Sequence, residues 1–134
     1  MMAEPARFAA QTLSAQHVPA WEFRFSYVAD SMRGQWAGAP HATDVPFVFD
    51  TARAHYSAPL TDADEKVAQQ MNTYWANFVK TGDPNGKGLP NWPAYQSASD
   101  MLMDFTNDGP VTKPDPWKKR LDLTEELASK QAGK

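Results

Sequence analysis

The chain has 134 residues, 42% of them hydrophobic and 12% aromatic, enough to bury the core of one ordinary domain. Thirteen basic against sixteen acidic side chains leave a net charge of −3 without long runs of either sign, so neither nucleic acid nor an anionic membrane is an expected partner. The absence of cysteine excludes disulfides, thiolate metal sites and cysteine nucleophiles together, and His17, His41 and His55 lack metal-site spacing such as i, i+4, so no metal and no cofactor is expected.

Residues 1 to 7 carry no basic n-region and no apolar h-region, and no run of about 18 apolar residues occurs anywhere. A soluble chain is the expectation, with its compartment left open. Residues 4 to 16 predict a helix, with Pro5 suited to the first helical position and Glu4 favourable at the positive end of the dipole. Phe8, Ala9, Thr12 and Leu13 share a face that is expected to pack on a sheet. His17-Val18-Pro19 ends the helix, since a residue before proline is pushed out of the α region, and His17 reads as a polar residue near a helix end.

Trp21 to Val28 alternates with period two, placing Trp21, Phe23, Phe25 and Tyr27 on one face and Glu22, Arg24 and Ser26 on the other. Four aromatics on one face need a covering layer, so the sheet is expected to be larger than this chain. From Ala29 to Pro40, Ser31, Arg33, Gly34, Gly38 and Pro40 break any period. His41 closes that loop. An imidazole there reads either as a loop side chain bonded to a backbone carbonyl or as a group that moves protons at neutral pH. Thr43 or Asp44 is a candidate cap for a short helical turn from Val45 to Phe49, and Asp44 can instead bond a nearby backbone amide; it reads as structural.

Thr61 precedes carboxylates at Asp62 and Asp64, and Val67, Met71, Tyr74, Trp75, Phe78 and Val79 recur at spacings of three and four, which predicts an amphipathic helix through Lys80, stopped by Gly82. The Tyr74–Trp75 pair reads as core packing. Asp83 to Gly88 is a turn, and Leu89-Pro90-Asn91-Trp92-Pro93-Ala94-Tyr95 is an extended segment with an aromatic anchor. Gly86-Lys87-Gly88 lacks the strand and helix of a phosphate loop. Met101 to Phe105 predicts a short strand, from which residues 107–110 turn out. Trp117, Leu121, Leu123 and Leu127 among alternating charges predict a terminal surface helix, and residues 132–134 a frayed tail.

Three stretches in order carry a family resemblance: Phe23 to Tyr27 followed by Gly38-Ala39-Pro40-His41-Ala42-Thr43-Asp44-Val45-Pro46-Phe47-Val48-Phe49; Met71 to Gly86; and Leu89 to Tyr95. Together they resemble the C-terminal portion of the type-B carboxylesterases, the α/β-hydrolase family of para-nitrobenzyl esterases, liver carboxylesterases and cholinesterases. The resemblance implies an α/β fold class, with residues 1–134 forming a single partial domain ordered as helix, strand, histidine loop, long amphipathic helix, short strand and terminal helix. It implies that His41 is the catalytic histidine, that the Trp75 helix and Trp92 segment pack behind it, and that the substrate is a small-molecule carboxylic ester. The family's frequent glycine after the histidine is Ala42 here, for which a positive φ is harder to reach.

The mechanism that this family implies also needs a serine in a G-x-S-x-G elbow, an oxyanion hole and an orienting acid, in the order Ser, acid, His. No such elbow occurs in the chain. Three readings follow. The chain is part of a serine carboxylesterase that supplies the general-base histidine and is inactive alone. Alternatively it is a non-catalytic module that self-associates or complements the missing N-terminal part of the fold. The third is a self-contained hydrolase built from Ser31, His41 and Asp44, whose preorganisation in one loop is poor.

Overall fold

The computed structural model describes residues 3–132. Its elements are α1 (Ala3–Ala15), β1 (Phe23–Phe25), a 3-10 turn (Asp30–Met32), α2 (Val45–Val48), α3 (Ala52–His55), α4 (Asp62–Thr81), β2 (Met101–Thr106), β3 (Gly109–Pro114) and α5 (Lys118–Ala132). Helices thus mix with one three-stranded sheet of order β1-β2-β3. The chain forms two compact units. The first comprises the segments up to Glu22, Pro93–Leu102 and from Lys113 onward; the second comprises Phe23–Trp92 and Met103–Thr112.

The first unit is organised by a buried cation. Arg7 on α1 is 2% exposed, and its guanidinium lies 2.6 Å from Asp100, 2.6 Å from Asp122 of α5 and 3.4 Å from Glu125. A charge taken out of water is tolerated only when paired and hydrogen-bonded, and this one has three carboxylates around it. Asp100 is held in turn by the Tyr95 hydroxyl at 2.5 Å, while the Tyr95 amide donates to the Ala20 carbonyl at 2.7 Å. The buried face of α1 therefore centres on Arg7 and Ala10. The expected face of Phe8 and Leu13 is the exposed one, at 67% and 39%, because pairing the arginine fixes how the helix is turned. The helix ends in a left-handed His17 at φ 59°, with Val18 N–H bonded back to the Leu13 carbonyl at 2.9 Å; the stop is a closing loop as well as the following proline.

In the second unit β1 runs parallel to β2, with Phe23, Arg24 and Phe25 opposite Met103, Asp104 and Phe105. The predicted strand from 21 to 28 shrinks to three residues. Beyond Ser26, whose amide still bonds the Phe105 carbonyl at 3.0 Å, the backbone leaves the ladder, and the Val28 amide is taken by the Asn107 side chain at 2.8 Å. The long helix α4 matches its expectation: Thr61 and Asp64 form a reciprocal capping box, and Gly82 closes it at φ 79°. Asp64, Val67, Ala68, Met71 and Tyr74 are its buried residues, whereas Phe78 and Val79 emerge at 46% and 81% exposure.

Against α4 packs an aromatic cluster. Tyr74, Trp75 and Trp92 meet Phe23 and Phe105, with edge-on contacts such as Phe23–Trp75 at 4.9 Å and Tyr74–Trp92 at 5.4 Å between ring centres. The Trp92 segment is locked by Asn85, whose side-chain amide accepts from the Trp92 N–H at 2.7 Å and donates to its carbonyl at 2.8 Å. Each fully buried ring of this kind is worth about 1.5–3 kcal/mol of transfer free energy.

Two elements depart from the expected turns and loops. β3 forms from Gly109, where residues 107–110 read as a turn out of the sheet; Pro110 and Pro114 are tolerated because β3 is an edge strand. α3 forms from Ala52 to His55 in a stretch without a helical period. The terminal helix begins at Lys118 with Leu121 inside, while Leu123 and Leu127 are exposed; it includes Ala132, and the rest of the expected tail, residues 133–134, lies outside the described residues.

Candidate functional site

His41 sits in the second unit on a segment whose two stems are both fastened to α4. On the entering side Tyr27 is 1% exposed, and its hydroxyl donates to Asp64 Oδ1 at 2.7 Å; the Asp30 amide donates to the same oxygen at 3.0 Å. On the leaving side Phe47 of α2 is fully buried, its ring 5.4 Å from that of Tyr27 and 5.3 Å from that of Phe25. The Asn72 side chain of α4 then holds the Val48 carbonyl at 2.9 Å. Between these anchors the chain is free to expose a side chain without becoming loose.

The histidine turn is itself closed by its neighbours. Thr43 is buried, and its hydroxyl donates to the Pro40 carbonyl at 2.7 Å. Ala42 takes φ +64°, the left-handed conformation that glycine reaches without strain. The imidazole between them is exposed, and among the described residues no hydrogen bond or ion pair reaches it. Its two nitrogens are open to an outside donor or acceptor, as a proton-transferring group requires. The loop-imidazole alternative, with a ring tied to a backbone carbonyl, is not what forms.

Asp64 is the electrostatic centre beneath this loop. It is 1% exposed, and besides Tyr27 and Asp30 it accepts from the Thr61 amide at 2.9 Å and lies 3.1 Å from the Thr61 hydroxyl. Burial alone would push its pKa up, but these hydrogen bonds favour the carboxylate and hold it below the usual value. Tyr27 moves the other way, raised by burial and by donating to Asp64, so the pair stays phenol and carboxylate.

A family model described as the carboxylesterase family matches residues 1–123. The chain belongs to the carboxylesterase family. It is similar to cocaine esterase of Homo sapiens, 33% identical over 88 residues, which is 66% of this chain and 14% of that protein. It is also similar to acylcarnitine hydrolase of Mus musculus, 37% identical over 91 residues, or 65% of this chain and 16% of that protein. With carboxylesterase 4A of Bos taurus it shares 32% identity over 116 residues, covering 78% of this chain and 20% of that one. The matched stretch thus spans a fifth or less of these carboxylesterases, and it stands as a C-terminal portion of one.

Of the other residues weighed with His41, Asp44 precedes α2 without capping it through its side chain, and Thr43 turns back to Pro40 instead. Ser31 lines an open groove of about 400 Å³ with Gln35, Trp36, His55 and Tyr56, and neither His41 nor Asp44 is among its lining residues. The three do not converge on that groove. Among the described residues no group of three or more His, Asp and Glu gathers as a metal site, and no helix is long and apolar enough to cross a membrane. Sequence reasoning placed Asp64 only in a helical first turn. The Thr61-x-x-Asp64 spacing signals the capping box, but nothing in the spacing announces that Tyr27 and Asp30, more than thirty residues upstream, share the same carboxylate.

Proposed function

We propose that this chain is the closing part of a single α/β-hydrolase domain of a carboxylesterase, and that His41 is its general base. The observation that carries the reading is an exposed, unbonded imidazole on a loop anchored at both stems, in a chain of this family. In the complete enzyme, Nε2 of His41 takes the proton from a serine hydroxyl as its oxygen attacks the ester carbonyl. It then returns that proton to the departing alkoxide. In the second half-reaction it deprotonates water, which attacks the acyl-serine, and hands the proton back to the serine. Serine, orienting acid and oxyanion hole belong to the part of the enzyme that this chain does not include. The substrates are carboxylic esters, and the isolated chain lacks the nucleophile.

The test is complementation. This chain is mixed with the preceding portion of a carboxylesterase carrying the G-x-S-x-G serine, and hydrolysis of a short p-nitrophenyl ester is followed. Turnover that appears on mixing and disappears with His41→Ala supports the reading; turnover that survives His41→Ala refutes it. Alone, the chain should not be labelled by a fluorophosphonate.

A second reading, a packing module that self-associates, has its own support in exposed apolar side chains. Phe49 is 68% exposed and Val79 81%. Where such side chains adjoin in one contiguous patch they mark an interaction site. Sedimentation distinguishes the two, since self-association without complementation favours the module.

A further inference from the structure

The esterase reading assigns a task to His41 but leaves open what holds the ring in place. Asp64 is a candidate because one carboxylate oxygen reaches both the Tyr27 hydroxyl and the Asp30 amide, while the Tyr27 ring lies against Phe47. Tyr27 and Asp30 precede the histidine loop, and Phe47 follows it. A single buried acid therefore touches one stem directly and the other through one aromatic contact. Neither Asp64 nor Tyr27 approaches the substrate side as a chemical participant, because both are about 1% exposed.

We infer that Asp64, acting through Tyr27 and the Asp30 amide, is the positioning residue for His41. The inference rests on the esterase reading for its purpose, but its physical content is independent of it. With the Tyr27 hydroxyl, the Asp30 amide and the Thr61 amide all donating to it, only an ionised carboxylate satisfies the site. An amide in its place would turn an N–H₂ toward at least one of the N–H or O–H groups that now donate. Where that N–H₂ faces Tyr27 and Asp30, Tyr27 loses its fixed hydroxyl and Phe47 its fixed neighbour; where it faces the Thr61 amide, the cap that holds the remaining oxygen against Tyr27 opens, and in either rotamer the turn carrying His41 would sample a wider range of positions. Proton transfer is steep in geometry: a displacement of about 1 Å can cost on the order of a hundredfold in rate.

Two readouts test this, with Asp64→Asn and the milder Tyr27→Phe beside the control Asp62→Asn, an exposed position in the first turn of the same helix. In the chain alone, amide hydrogen exchange should rise about tenfold or more at Met32, Phe47 and Val48, the stems of the loop. Met71 and Tyr74 inside α4 should be little changed. A merely stabilising role would raise all of these together, and that uniform result would overturn the inference, as would unchanged exchange at the stems in Tyr27→Phe.

In the complemented esterase, counted per active serine, Asp64→Asn should lower kcat about tenfold or more with KM within about twofold, and Tyr27→Phe should lower it less. Unchanged kcat in both variants, while His41→Ala abolishes turnover, overturns the positioning role and leaves the esterase reading standing. Turnover retained in His41→Ala overturns the esterase reading instead, and the exchange result then decides whether Asp64 still orders the loop.

Discussion

Ala42 offers a measurement of strain at the histidine turn. Among the described residues four non-glycine positions have positive φ: His17, Ala42, Asp50 and Asp100. Aspartate and histidine are the kinds of side chain enriched in the left-handed region, and alanine is the exception among the four. An L-residue there costs roughly 1–2 kcal/mol, which Ala42→Gly would relieve. Glycine adds about 0.4–1 kcal/mol of unfolded-state entropy to be lost on folding. Ala42 is exposed at φ +64°, so its methyl group contributes little packing that would be forfeited. The net expectation is a stabilisation of about 0.8 kcal/mol. With a urea m-value of about 2 kcal/mol/M, the midpoint should rise by about 0.4 M at unchanged slope. Ala42→Val should move it the other way, since a β-branched residue in this region is a true outlier. A midpoint that falls in Ala42→Gly would refute the argument, because it would mean that the methyl group, not the backbone, decides the site.

Other predictions concern charge. His41→Gln should leave the unfolding free energy from urea denaturation within about 0.5 kcal/mol of the parent, as an exposed unbonded side chain supports no packing, while removing complemented esterase turnover. Glu22 is pushed up to about 7 by burial and by the charges of Asp115 and Asp100, against the pull of Arg7. Its folded value lies above its unfolded one, so ionising it works against the fold: stability declines as pH rises from about 4.5 to 7 and the loss is complete above that. Glu22→Gln should abolish a pH 5.5-to-8 difference on the order of 1 kcal/mol in denaturation curves, because Glu22 is only half-buried and solvent screens the charges around it. Arg7→Met should cost about 3–5 kcal/mol in urea denaturation by leaving Asp100 buried without its main cation.

The long helix and the histidine turn were legible because each is written locally. Thr61, Asp64, Gly82 and the three-four spacing lie within α4, and Trp92 sits in a proline-bounded stretch that needs a partner. The facing of α1 was not legible. Phe8 and Leu13 look like an inner face until Arg7 finds Asp100 and Asp122, and those pairings span 93 and 115 residues of sequence. The length of β1 was misjudged for a similar reason. Alternation marks which residues are able to form a strand, whereas the partner decides how many do, and Phe23 to Phe25 is the part that β2 reaches. The proposal for His41 starts from its neighbourhood in the sequence, whereas the sharing of Asp64 by Tyr27 and Asp30 has no sequence signal, because hydrogen-bond partners converge in space and leave no period behind.

The Asn85 lock has a chemical corollary. Asn85 is required by the two bonds it makes to the Trp92 backbone, and Gly86 by Asn77, whose side-chain nitrogen would lie 2.6 Å from any Cβ placed there. The fold thus uses an asparagine followed by glycine, the pair whose flexible backbone most readily closes a succinimide that opens to aspartate or isoaspartate. While the lock holds, that side chain is engaged and the ring cannot close. Once it opens and the conversion occurs, a carboxylate faces the Trp92 carbonyl where an amide used to donate, so the lock does not re-form. A one-dalton gain at this dipeptide would accordingly serve as a cumulative clock of how often the Trp92 segment has come loose.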